Sequence, residues 1–345
     1  KVNKDMLSCR NSEEVCTQNN SNSHILTPYH KSPLLTYLYK KIIFVSCQRL
    51  KSKMNIVVLS RNPSLYSTQA IVEAGRKRHH YVRVLDHMFC DLIIEKDNIE
   101  IYYNFQKLEN IHAVIPRIGT TATSFGSAVI RQFESKGVFT TLTAEALLKA
   151  RNKLTCMQIL AGAGIGVART GISKNLYTLP FVIDKIGQAP FIVKLATGTQ
   201  GLGVILSESK SNAEAIIEAF QRSEEKVLVQ KFIEESKGCD IRVFVIDGQV
   251  VGSMKRMAKV GEFRSNLHRG AQSIPVKLTA EEEETALKAT AMMGLKIAGV
   301  DMLQSKEGPL VLEVNASPGL EGIEGTTQLD IAGKIIEFIE RSVVP

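Results

Sequence analysis

Residues 300–320 read V-D-M-L-Q-S-K-E-G-P-L-V-L-E-V-N-A-S-P-G-L. Apolar runs at 298–303 and 309–314 flank the polar turn Ser305-Lys306-Glu307-Gly308. Two apolar runs joined by a polar, glycine-containing turn predict a β-hairpin. The first strand carries Asp301, the second Glu313 and Asn315. Alternation along a strand puts Glu313 and Asn315 on one face. If Asp301 faces the same way, three oxygen ligands meet at one point. Two carboxylates about 4 Å apart repel by about 4 kcal/mol at an effective dielectric near 20. A hard cation removes that repulsion, and Mg²⁺ takes one or two carboxylates with substrate phosphates completing its shell. The competing reading is a hairpin whose acids face solvent.

Outward from the hairpin, other segments point to phosphate. At 191–195 a strand carries Lys194 among Ile192, Val193 and Leu195. A lysine alternating into a buried strand is costly unless an anion pairs with it. The loop after it holds Gly198, Thr199, Gln200, Gly201 and Gly203. Such glycines let backbone N–H groups approach phosphate closely. No Gly-Lys-Ser/Thr follows, so this is not a Walker loop, and a strand follows where a dinucleotide fingerprint needs a helix. A flap over a nucleotide and a flexible hairpin turn both remain open. The run V-L-V-Q-K-F-I at 227–233 fits a strand and hinge beside an adenine, or plain core. Asp240, after Gly238, is placed to accept from ribose hydroxyls or to cap a turn. The loop at 262–270 contains F-R-S-N-L-H-R-G. Arg264 and Arg269 offer bidentate donors to carboxylate or phosphate, and Asn266 suits an oxyanion. His268 reads as structural.

The 345 residues are enough for two or three domains. The net charge of +8 is unevenly placed. Residues 1–53 hold nine Lys/Arg and three acids, +6 of the total, which leaves +2 for the rest and no nucleic-acid footprint there. No apolar run approaches the ~18 residues of a membrane helix. The six cysteines show no metal spacing, and reduced thiols in a cytoplasmic protein are expected. The first 53 residues keep no helix or strand period, and the reading is an unfolded extension with Met54 as the natural start, a targeting arm being the alternative. From Met54 strands alternate with helices: strands at 55–60, 81–86 and 113–116, helices at 65–79 and 123–136, and a small hairpin around Asp97-Asn98. That order predicts a parallel sheet with helices on both faces. Arg117 follows the third strand, at a carboxyl end where functional groups collect, and either faces the cleft or is an ordinary surface arginine. Thr121 or Thr123 is a candidate cap for the helix at 123–136. One helix is expected over 143–163. A hairpin is expected around Asp247-Gly248, a capping box at Thr279 and Glu282, and a closing helix at 331–342.

These pieces, in this order, resemble the ATP-grasp superfamily, and at closer range the RimK family. The motifs that carry the likeness are I-P-R-I-G at 115–119, K-L-x-x-G-T-Q-G-x-G-V at 194–204 and G-C-D-I-R at 238–242. F-R-S-N-L-H-R-G at 263–270 and L-E-V-N-A-S-P-G-L-E-G-I-E at 312–324 complete the set. The resemblance runs from Met54 to about Val344. It implies an α/β chain: a pre-ATP-grasp domain at 54–147, a small ATP-grasp subdomain with the flap at 148–234, and a large one with the metal hairpin at 235–345.

RimK-family proteins are ATP-dependent ligases that add glutamate to the C-terminus of a small-subunit ribosomal protein. The resemblance therefore implies ATP, glutamate and a ribosomal protein as substrates, two Mg²⁺ or Mn²⁺ ions and a homo-oligomer. It also implies an acyl-phosphate intermediate. Lys153, Lys194 and the flap would hold phosphates; Gln230, Lys231, Phe232 and Asp240 would hold adenine and ribose. Arg264, Ser265 and Asn266 would lie at the phosphate and acyl end, with Arg264 and Asn266 catalytic. Asp301, Glu313 and Asn315 would bind metal, and Arg117 and Arg269 substrate. Lys231 departs from the family pattern, which commonly has an acid there. A small-molecule ligase of the glutathione-synthase type, or a nucleotide-binding regulator, are the alternatives.

Overall fold

A computed structural model describes residues 53–196, 203–221, 226–236 and 238–343. The expected extension, Lys53 apart, and the flap calls Gly198, Thr199, Gln200 and Gly201 lie outside the described residues. The first part of the fold is a parallel sheet. Its strands are β1 (Asn55–Leu59) and β2 (Tyr81–Leu85) and, after a small antiparallel sheet of β3 (Cys90–Glu95), β4 (Asn98–Tyr103) and β5 (Gln106–Lys107), β6 (Ala113–Pro116) and β7 (Phe139–Thr140), in the order β2-β1-β6-β7. Its helices are α1 (Tyr66–Lys77) and α2 (Thr123–Ser135). Alternation splits β1 cleanly: Val57 and Leu59 join one core with Ile130 and Phe133, while Ile56 and Val58 join another with Ile71. Both faces are covered, as a near-continuous apolar strand requires.

The helix expected over 143–163 is two helices, α3 (Ala144–Arg151) and α4 (Lys153–Gly162). Asn152 takes an extended conformation (ψ 102°), and its side chain accepts from Thr155 N–H, so it ends one helix and caps the next. The expected cap of α2 is also corrected. Ala122 holds the cap position and the Thr123 hydroxyl turns back to donate to Thr120 O.

Next comes β8 (Thr170–Gly171), α5 (Leu179–Ile186), β9 (Phe191–Leu195), β10 (Val204–Ser207), α6 (Lys210–Gln221) and β11 (Val227–Lys231). The sheet order is β10-β9-β11-β8, all antiparallel. Phe191, Val193, Val227 and Val229 pack against Ile183, Ala213 and Ile217 in a core of their own.

The largest sheet is antiparallel, with order β14-β13-β12-β15-β16, built from β12 (Cys239–Ile246), β13 (Gln249–Met257), β14 (Gln272–Pro275), β15 (Ile297–Ser305) and β16 (Gly308–Asn315). The predicted turn between β12 and β13 has both central residues at positive φ, Asp247 at 51° and Gly248 at 70°, as a two-residue turn matched to strand twist requires. One face of this sheet is covered by α7 (Ala280–Met292), whose Thr279–Glu282 capping box forms as expected. The other face is covered only in part, by α8 (Glu321–Thr327) and α9 (Ile331–Ser342), which pack on Phe244, Ile246 and Met254. The uncovered part carries Asp240, Arg242, Arg256, Asp301 and Glu313. No helix among the described residues is long and apolar enough to cross a membrane.

Candidate active site

The hairpin places its acids as the alternation requires. Asp301 and Glu313 are direct partners across β15 and β16, and Gly299 faces Asn315 two residues along. Register slips by one residue between Asp301 and Met302. That bulge keeps Val311 and Val314 in the core while Leu312 and Glu313 in succession line the cavities above the sheet. Asn315 Nδ2 donates to Glu313 Oε1 at 3.1 Å.

Asp301 is not a bare ligand. Arg242, its partner on β12, donates Nε and Nη2 to its two oxygens at 2.7 and 2.5 Å, and Arg256 Nη2 lies 3.0 Å away. Arg256 also donates to both oxygens of Asp240, at 2.7 and 2.5 Å. Burial alone would raise Asp301, but Arg242 and Arg256 override it and hold the carboxyl at about 2. This four-member ladder is charge-neutral. The same argument that singled out Lys194 applies to Arg242 and Arg256, charges alternating into apolar strands, and it would have found them.

Two cavities meet over this ladder. A smaller one, about 170 Å³, is lined by Ile192, Lys194, Gln230, Lys231, Phe232, Asp240, Arg264, Ser265 and Leu303. A larger one, about 700 Å³, is lined by Arg117, Arg151, Arg242, His268, Asn315 and Ser317. Lys153, Arg256, Asn266, Leu312 and Glu313 line both. The expected site residues whose side chains are described therefore gather at one place, with differences in detail, while Gly203 lines neither cavity and accepts from Leu195 N–H just before β10. Asp240 spends both oxygens on Arg256. Gln230 donates to the Thr170 hydroxyl at 2.5 Å, and the N–H groups of Lys231 and Phe232 donate to Arg169 O and Pro190 O. Arg264 is forked onto Glu262, at 2.9 and 2.8 Å, and the Arg264 pairing leaves the Glu262 carboxyl at about 2. His268, read as structural, is exposed at the larger cavity. The Arg269 side chain lies outside the described structure.

The electrostatics are those of an anion site. Burial pushes Lys194 down to about 8 and lowers Lys153 in the same direction. Desolvation and the neighbouring Arg151 charge push Arg117 down to about 10, and desolvation lowers Arg151. With the ladder neutral and Arg264 paired, Lys153, Lys194, Lys231, Arg117 and Arg151 line the cavities together with Glu313 and Glu321. Charges so placed are stable only beside an anion. Among the described residues no three His, Cys, Asp or Glu side chains gather as a metal cluster. The donor set is two carboxylates and one amide, which fits a hard cation that keeps waters and shares phosphate oxygens.

Residues 54–147 match the protein-family model of the RimK pre-ATP-grasp domain, and residues 150–339 that of the RimK-like ATP-grasp domain. A protein of Picosynechococcus sp. named "Probable alpha-L-glutamate ligase" is 49% identical over 292 residues, 85% of this chain and 97% of that protein. One of the same name from Vibrio vulnificus is equally similar over the same shares.

The chain belongs to the RimK family.

It is thus an ATP-grasp ligase of the ADP-forming, carboxylate–amine kind. Solved structures agree in fold. The ATP-grasp ligase PsnB, complexed with its minimal precursor, superposes with a TM-score of 0.65 at 21% identity, covering 85% of this chain and all of that one. A RimK-domain ATP-grasp protein from Sphaerobacter thermophilus gives 0.62 at 20% identity, covering 83% and 99%. ATP-grasp ligases use ATP and Mg²⁺, and in this RimK-family chain the two cavities meet at Lys153, Arg256, Asn266, Leu312 and Glu313.

Proposed function

We propose that this RimK-family ligase joins the amine of glutamate to the C-terminal carboxylate of a protein acceptor, a small-subunit ribosomal protein foremost, at the expense of ATP. The relatives named alpha-L-glutamate ligases support the choice of amino acid. The observation that carries the chemistry is the pair of desolvated lysines, Lys153 at the junction of the cavities and Lys194 in the smaller one. Lys194 and Lys153 hold the phosphates, with the nucleotide in the smaller cavity. An oxygen of the acceptor carboxylate attacks the γ-phosphorus, the bond to the β–γ bridging oxygen breaks, and ADP leaves with that electron pair. Glutamate's neutral amine then attacks the acyl carbon, an amide forms and inorganic phosphate departs. Asn266, at the junction of the cavities, donates to the oxyanion, a contribution of about 3–4 kcal/mol for a well-aimed donor. Arg264 joins it once phosphate draws the guanidinium from Glu262. Bound at Asp301, Glu313 and Asn315, two Mg²⁺ or Mn²⁺ ions would neutralise phosphate charge.

Incubation with ATP, Mg²⁺, glutamate and ribosomal proteins, read by intact mass, tests this. A small-subunit protein should gain mass in glutamate-residue steps at its C-terminus, and Glu313→Gln should abolish the gain. ADP release with small carboxylic acids and none with proteins would move the assignment to a small-molecule ligase. Nucleotide binding without any turnover would overturn it.

A further inference from the structure

The larger cavity holds two arginines that the nucleotide does not need. Arg117 stands at the carboxyl end of β6, and Arg151 is the last residue of α3. Each is anchored by one backbone carbonyl: Arg117 Nη2 donates to Pro318 O at 2.7 Å, and Arg151 Nη2 donates to Ile118 O. A carbonyl fixes a guanidinium's direction without neutralising its charge. Arg151 Nε is buried with no hydrogen-bond partner. No carboxylate among the described residues forms an ion pair with either, whereas Arg242 and Arg264 each have one and Arg256 has two. Both line the larger cavity and neither lines the smaller.

Two like charges kept this close, partly out of water and with donors to spare, call for an anion between them. The phosphates are already provided for, since Lys194 lines only the smaller cavity and Lys153 the junction. The acceptor carboxylate must reach the γ-phosphate at that same junction. The remaining anion is a carboxylate of the amino-acid nucleophile. Planar guanidinium forks match carboxylate geometry, which a lysine pair would not. The cavity's volume lies within the ~300–1,000 Å³ of small-molecule sites.

We infer that Arg117 and Arg151 form the clamp for a carboxylate of the incoming amino acid. The inference rests on the ligase reading above and adds the subsite for the nucleophile. Arg117 was expected to bind substrate from its place in the chain; Arg151 carried no such expectation.

The test varies each substrate in turn for the wild type, Arg151→Met, Arg151→Lys and Arg117→Gln. Glutamate binding to protein holding Mg²⁺ and a non-hydrolysable ATP analogue is measured alongside by calorimetry. Arg151→Met should raise the KM for glutamate by roughly 10- to 100-fold and weaken its binding to match, with the KM for ATP within about twofold. Arg151→Lys should recover part of the loss, and Arg117→Gln should act in the same direction as Arg151→Met. The wild type should reject glutamine or isoglutamine, whichever amide replaces the clamped carboxylate, and Arg151→Met should lose that preference. This ligand comparison with the wild type holds even if a variant fails to fold. A rise in the acceptor's KM instead of glutamate's, or equal use of both amides by the wild type, overturns the clamp. Wild-type protein that ligates no glutamate overturns the ligase reading itself. Wild-type activity with an unchanged glutamate KM in Arg151→Met overturns only the clamp.

Discussion

Lys194 shows how one residue can be read from the sequence and still change meaning in the fold. Its place among Ile192, Val193 and Leu195 foretold burial, and it is buried. What the alternation could not give is the consequence for its proton. An unfolded lysine titrates near about 10.4, and desolvation brings the folded one to about 8. Below about 8 both states are charged and the fold bears the whole burial penalty. Between about 8 and 10.4 only the unfolded chain holds the proton, so ligand-free stability rises with pH there. Nucleotide binding runs the other way, because phosphate requires the charged amine. Above about pH 8, binding of Mg²⁺·ADP should take up a proton, with affinity falling by up to about tenfold per pH unit. Lys153, shifted in the same direction, adds to that slope. Calorimetry in buffers of different ionisation enthalpy reads the uptake, and Lys194→Met should reduce it; an unchanged uptake would remove Lys194 from the phosphate site. The two acids of the hairpin should also separate. Asp301 holds two arginines, so Asp301→Asn should lower the unfolding free energy by about 3–5 kcal/mol, the cost of breaking a buried pair. Glu313→Gln loses the hydrogen bond to Asn315 as an ionised pair and the attraction to Lys194, Lys153 and Arg151, but no bidentate arginine fork, and should cost less than Asp301→Asn. Urea unfolding decides, and equal losses would mean that Glu313 is structural.

Elements were legible where local chemistry decides them. The turn at Asp247-Gly248, the capping box at Thr279 and the helix Ile331–Ser342 all stand as the residues imply. The misses share one cause: geometry that competes locally with regular structure. Asn152 lies in a run with helical composition, yet its side chain captures Thr155 N–H and its backbone leaves the helical region. The bulge beside Leu312 is likewise invisible to strict alternation, though it is what lets Leu312 and Glu313 both line the cavities. The helix Glu321–Thr327, with two glycines in seven residues, has little intrinsic propensity and is held by Ile323 in the core. The break at Asn152 is functional in this arrangement, because it makes Lys153 the first residue of α4 and brings it to the junction of the cavities. Asn152→Ala should cost about 1 kcal/mol of stability through the lost cap. It should also weaken Mg²⁺·ADP binding by letting the two helices run together, while Asn152→Asp, which can still cap, should restore most of both. Loss of stability with full nucleotide affinity would separate the cap from the site.

Across the whole molecule, the cores predict how the parts respond to ligand. The parallel sheet and the large antiparallel sheet share two hydrophobic clusters: Val57 and Val114 lie with Val243 and Val300, and Ile56 and Ile115 with Phe244 and Met254. Polar contacts add to this union. Leu320 N–H donates to Ser67 Oγ at 2.9 Å, and Glu340 meets Arg78 and His80 at 2.7 and 3.0 Å. No sequence pattern announces such sharing, since it depends on pairing elements more than a hundred residues apart. The sheet that bears Lys194 is different. Among the described residues its buried side chains Phe191, Val193, Val227 and Val229 form a separate cluster with five apolar residues of α5 and α6, and its opposite face, with Ile192, Lys194 and Gln230, is the wall of the smaller cavity. A small core with one face given to a binding cavity opens at lower free energy than a core shared by two sheets. Without ligand, amide hydrogens of β9, β10 and β11 should therefore exchange faster than those of β1, β12 and β15. Mg²⁺ with a non-hydrolysable ATP analogue, bridging that sheet to the Asp301 hairpin, should slow exchange most in β9–β11. At a ligand concentration about 100 times its Kd, binding alone stabilises the bound state by about 2.7 kcal/mol, so the best-protected of these amides should slow by up to roughly a hundredfold. Hydrogen exchange read by mass spectrometry gives both quantities on one sample. Uniform protection across the three sheets before ligand would refute the separate opening of the Lys194 sheet, and ligand protection confined to the parallel sheet would place the nucleotide elsewhere.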